Sequence, residues 1–103
     1  MSRIDQINIL LQTSPNDNFL QHALALEHIK IGEDTEAKKL FELILDRDPN
    51  YVGSYYHLGK LLERINDFTN AAKVYETGMQ QAKVAKDNHS FNELQSALED
   101  IEE

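Results

Sequence analysis

The amino-acid sequence predicts an all-α domain of about six helices arranged as stacked antiparallel pairs. The chain repeats itself at an interval of 34 residues: Pro15 and Pro49, Leu24 and Leu58, Ala25 and Gly59, Gly32 and Asn66, Ala37 and Ala71, Phe41 and Tyr75. A fixed period of this length marks copies of one small unit, none of which buries its apolar face alone. Apolar residues also recur every three to four positions, the spacing of one helix face, and no stretch alternates as a half-buried strand does. Such a stack offers a shaped surface rather than a reaction pocket.

Each element has its own justification. Residues 3–12 place Ile4, Ile7, Leu10 and Leu11 on one stripe, a short amphipathic helix. Thr13 to Asp17 holds the breaker Pro15 followed by Asn and Asp, which start a helix well. Residues 18–31 are apolar almost all round, with Phe19, Leu20, Ala23, Leu24, Ala25, Leu26, Ile29 and Ile31, so this helix needs neighbours on several sides. Gly32 supplies a left-handed stop, and Glu33 or Asp34 caps the helix over 35–47, whose stripe is Ala37, Leu40, Phe41, Ile44 and Leu45.

Asp48-Pro49-Asn50 separates that helix from the next, over 51–65, with Tyr55, Leu58, Gly59 and Leu62 facing inward. Asn66-Asp67 repeats the stop and cap. A longer helix over 68–85 turns Ala71, Ala72, Tyr75, Met79 and Ala82 inward, and Asp87-Asn88 punctuates again. The last helix, over 88–102, carries Phe91, Leu94, Leu98 and Ile101 on one stripe and is acidic elsewhere. The chain reads as a single domain over 1–103: a half-unit at 1–15, units at 18–51 and 52–85, and a capping helix at 86–103.

Composition narrows function by exclusion. The 103 residues are 41% hydrophobic and 27% charged, ordinary for a globular chain. A net charge of −8 argues against nucleic-acid and anionic-membrane partners, because phosphate binding needs a positive surface. No cysteine is present for disulfide or thiolate chemistry. No stretch approaches the roughly 20 apolar residues of a membrane span, and no leading signal segment is evident, so a cytoplasmic location is expected. Phosphate-loop, nucleophile-elbow and His-Glu-x-x-His motifs are all absent. Asp46 and Asp48 lie at a helix end near solvent. The expectation is a protein that is not an enzyme, with no catalytic residue, cofactor or metal.

With Leu24, Ala25, Gly32, Ala37, Phe41 and Pro49 in one unit and Tyr55, Leu58, Gly59, Asp67, Ala71, Tyr75 and Gly78 in the next, the chain resembles the tetratricopeptide repeat family. Gln21, His28, Ile44, Leu62 and Lys83 depart from that family's pattern. Ile7 falls in the aromatic slot and Pro15 in the proline slot of an earlier half-unit. Phe91, Leu94 and Leu98 fit a first helix if two residues are inserted after residue 85. The resemblance implies a right-handed superhelix of helix pairs, a concave groove lined by the first helix of each unit, and a protein or peptide partner lying there. It implies that Phe19, His22, Leu26, Ile29, Lys30, Tyr56, His57, Lys60, Arg64, His89 and Asn92 face that groove, with Glu63 and Ser96 beside them.

Aromatic and basic side chains dominate interface energetics, so a partner segment that is acidic or ends in a carboxylate suits this face. The family's carboxylate clamp for chaperone tails would fall at His22, Leu26, His57, His89 or Asp87, and Glu93 or Phe91. Those residues are not the clamp's Lys and Asn, and chaperone tails are not expected. Two other readings stay open: a homodimer paired through apolar groove or end surfaces, and metal binding or a pH response through His22, His57 and His89. His28, in an aromatic slot, reads as a packed histidine with one hydrogen-bonded nitrogen.

Overall fold

The computed structural model describes residues 1–102, and every helix or strand among them is an α-helix. They run α1 (Arg3–Thr13), α2 (Asn18–Lys30), α3 (Asp34–Arg47), α4 (Gly53–Arg64), α5 (Phe68–Val84) and α6 (Asn88–Glu102). The chain divides into two compact units, the first from Met1 to Arg47 and the second from Asp48 onward. In unit 1, α2 packs against both α1 and α3; in unit 2, α5 packs against α4 and α6, and α4 also touches α6. This is an all-α helical-repeat fold.

Local chemistry sets the boundaries. Ser2 and Asp5 form a reciprocal capping box at the start of α1. Asp17, Asp67 and Asp87 accept from the backbone N–H three residues on, of Leu20, Asn70 and Ser90, at 2.9, 3.3 and 3.0 Å. Gly32, Asn66 and Lys86 adopt left-handed φ values of 78°, 64° and 58°. After each, an N–H reaches back across the turn: Glu33 to His28 O, Asp67 to Leu62 O and Asp87 to Ala82 O. One Schellman-type turn therefore closes α2, α4 and α5 alike. Glu33 precedes α3, while Asp34 lies inside its first turn. The helix expected from residue 51 begins at Gly53, because the Tyr51 and Val52 carbonyls accept from the N–H groups of Ser54 and Tyr55 three residues on, a tighter turn than the α-helix.

The core of unit 1 holds Ile7, Leu24, Ala25, Ala37, Phe41 and Ile44; that of unit 2 holds Tyr55, Leu58, Leu62, Ala71, Tyr75, Ala82 and Leu94. Leu10 corrects the expected α1 stripe, being 52% exposed. At the matching repeat position on α3, Ile44 is wholly buried. Phe19 on α2 and Ile31 at its C-cap likewise remain exposed. Gln21, Ser54, Leu61 and Ala97 join the core beyond the expected stripes.

Two departures from the repeat pattern have a structural reason. Gln21 is buried, donates from Nε2 to Pro15 O at 2.8 Å and accepts at Oε1 from Arg47 Nη2 at 2.8 Å. Tyr55, 34 residues later, donates its hydroxyl to Pro49 O at 2.5 Å. Different side chains thus tie each first helix to the carbonyl of the proline six residues before. His28 is the packed histidine expected: Nδ1 lies 2.8 Å from Glu33 Oε1.

Candidate functional site

The expected groove residues belong to the first helices α2, α4 and α6. On α2, Phe19 is 69% exposed, His22, Leu26 and Ile29 are half-buried, and Lys30 is exposed with Nζ 2.8 Å from Glu27. The buried strip of this helix is Gln21, Leu24 and Ala25, so these five occupy the remainder of its circumference. His22 is held by the core beneath it, its ring edge-on to Phe41 with centroids 5.5 Å apart. The surface of α2 is therefore mainly apolar, with its charge at the C-terminal end.

Unit 2 supplies a more polar arrangement. On α4, Tyr56, His57 and Lys60 are half-buried and Arg64 is exposed; on α6, His89 and Asn92 are exposed. Tyr56 and Lys60 sit one turn apart, and Lys60 Nζ lies 5.6 Å from the centre of the Tyr56 ring, within cation–π range. Lys60 Nζ is also 3.5 Å from Glu63 Oε2, and Glu63 accepts the hydroxyl of buried Tyr75. This relay orients Lys60 along α4 and connects the surface to the core. Burial, then the Glu63 hydrogen bond and charge, push the Tyr75 phenol far above its ordinary range.

His57 stands edge-on to Tyr56, centroids 5.7 Å apart. Burial lowers its pKa below the ordinary 6.5, and Glu93 on α6 opposes that shift without reversing it. At neutral pH, His57 is an uncharged donor and acceptor. Among the described residues, no three His, Asp or Glu side chains are grouped so as to hold a metal ion. No described helix is long and apolar enough to cross a membrane.

Sequence reasoning placed all eleven residues on first helices but did not foresee the Tyr56–Lys60–Glu63–Tyr75 relay. It also missed a concavity of about 390 Å³ in unit 2, lined by Lys83, Lys86, Asn88 and Phe91. Of its lining, Phe91 alone was legible, as part of the expected α6 stripe.

Residues 20–51 and 52–83 each match the tetratricopeptide repeat family. Human aspartyl/asparaginyl beta-hydroxylase is 28% identical over 82 residues, 80% of this chain, and the mouse protein of that name is 26% identical over the same length. The chain spans only 11% of the length of these relatives. A crystal structure of a tetratricopeptide repeat domain protein from Salinibacter ruber is 41% identical, with a TM-score of 0.80 over 84% of this chain and 96% of that one. The TPR2B-domain:pHsp70 complex of yeast Sti1 aligns with a TM-score of 0.88 over 96% of this chain and 79% of its own, at 14% identity, a likeness of fold alone. Two consecutive matched units, together with 41% identity to a repeat domain of nearly the same extent, make this chain a member of the tetratricopeptide repeat family.

Proposed function

We propose that the chain is a non-enzymatic scaffold that holds a short segment of a partner protein against its first-helix residues. The observation that carries this reading is the Tyr56–Lys60 pair, an aromatic face with a cation stacked on it, oriented by Glu63 and left partly open to solvent. Aromatic anchors such as Tyr56 supply much of the energy at interfaces, because they bury large area with little entropy loss, and the lysine beside the ring adds a charge for a complementary group. A segment bearing a carboxylate complements this pair. In unit 1, α2 offers an apolar surface of its own, exposed Phe19 with half-buried Leu26 and Ile29.

Two residues speak for this scaffold over self-pairing through the ends of the repeat array. Arg3 stands where the matching helices have buried Ala37 and Ala71, and exposed Gln95 stands where they have buried Ala25 and Gly59. Small residues let repeat helices approach closely at these positions, so larger polar ones disfavour the intimate packing of one repeat on the next.

The test is partner capture by wild type and by the double variant Tyr56→Ala/Lys60→Gln, followed by titration with the captured segment. Affinity should fall at least about tenfold, whereas the stability change stays near 1 kcal/mol because both residues are only half-buried. Undiminished affinity in a folded double variant would remove the reading.

A further inference from the structure

The concavity between Lys86 and Phe91 continues into a neighbouring space of about 290 Å³, lined by Glu76, Met79, Gln80, Lys83, Phe91 and Leu98. Because Lys83 and Phe91 belong to both, the two form one trough that follows α6 from Asn88 to Leu98. At the helical rise this is about 15 Å, the length of a three-turn helix. Its floor is apolar and half-buried, formed by Met79, Phe91 and Leu98.

We propose that this trough binds an amphipathic helix of a partner protein that carries acidic residues beside its apolar stripe. Charge selects that occupant. Lys30, Lys38, Lys39 and Lys60 each lie within 4.0 Å of a glutamate, whereas Lys83 and Lys86, like Lys73 outside the trough, form no ion pair among the described residues. On a chain of net charge −8, two lysines against the single carboxylate of Glu76 leave this lining net positive, a site for carboxylates.

Lys86 is also held in a left-handed conformation that glycine adopts without strain, as Gly32 does in the turn that closes α2. The turn itself does not require a lysine. A second copy of the chain fits less well. Its α1 is the helix that would continue the array, yet it offers only Asp5 as a carboxylate.

Three labelled synthetic helices test the site by fluorescence anisotropy; they share one leucine stripe and differ only in flanking Glu, Lys or Gln. The Glu peptide should bind wild type about tenfold more tightly than the Lys peptide, as two screened ion pairs allow. Lys83→Glu/Lys86→Glu should reverse that order. Lys86→Gly should weaken the Glu peptide about threefold with a melting temperature equal to or above wild type. Amide shifts induced by the Glu peptide should centre on Lys83, Lys86, Phe91 and Leu98, and Tyr56→Ala/Lys60→Gln should bind it unchanged, which separates this site from the first-helix surface. Equal affinity for the three peptides, or shifts confined to Tyr56 and Lys60, overturns the proposal. So does a wild-type dimer in sedimentation that Phe91→Ser dissolves, which would give the trough to a second copy.

Discussion

Gly59 is small because the ring of Tyr75 occupies the space a side chain would need. A Cβ at residue 59 would lie 2.1 Å from Cε1 of that ring, well inside van der Waals contact. The ring cannot easily yield, since it is wholly buried and its hydroxyl is tied to Glu63, itself 3.5 Å from Lys60. At the matching pair in unit 1, Ala25 is accommodated with Phe41, a ring without that tether. Gly59→Ala should therefore destabilise by about 2 kcal/mol, overpacking outweighing the roughly 1 kcal/mol that alanine gains in a helix. Adding Tyr75→Phe should recover part of the loss by freeing the ring. Urea denaturation of the two variants measures both effects, and a wild-type midpoint for Gly59→Ala would show that the ring moves freely.

Among the elements, most boundaries were legible because their signals are local. Aspartate caps, left-handed stops and prolines act through backbone groups within six residues, so the sequence reports them directly. Burial depends on neighbours instead. The spacing of α1 identifies Leu10 as apolar but says nothing of whether a helix covers it, and none does in unit 1. Leu61 and Ser54 were missed for the converse reason: α4 packs against both α5 and α6, which buries a second strip. Gln21 was legible only as a departure from the pattern; its meaning lies in the Pro15 carbonyl and Arg47, which spacing cannot reveal. Gln21→Ala removes a buried side chain that satisfies partners on two sides, and should destabilise by about 2–3 kcal/mol. Tyr55→Phe deletes only the hydroxyl bond to Pro49 and should lose about 1 kcal/mol. Equal losses in thermal melts would contradict this view of how first helices are anchored.

For the whole molecule, the candidate surface was legible as an address and not as chemistry. Repeat position assigned Tyr56, His57 and Lys60 to one helix, but their charge states depend on burial and on Glu63 and Glu93, which arrive from tertiary packing. Those states shape stability across pH. His57 has a folded pKa below 6.5, so its neutral form favours folding above that pH, and this contribution disappears as pH falls through 6.5. Tyr55 and Tyr75 are shifted the other way, chiefly by burial, so their contribution is complete below the ordinary value of 10.0 and is lost as pH rises beyond it. Stability should hence be greatest between about pH 7 and 9 and fall on both sides. Net charge −8 complicates the acid side, because protonating carboxylates relieves self-repulsion; moderate salt screens that term and exposes the histidine. Under those conditions His57→Gln should flatten the loss of melting temperature between about pH 6.5 and 5, and Tyr75→Phe should move the alkaline decline to higher pH. An acid limb in His57→Gln parallel to that of wild type would show that burying neutral His57 does not govern stability there.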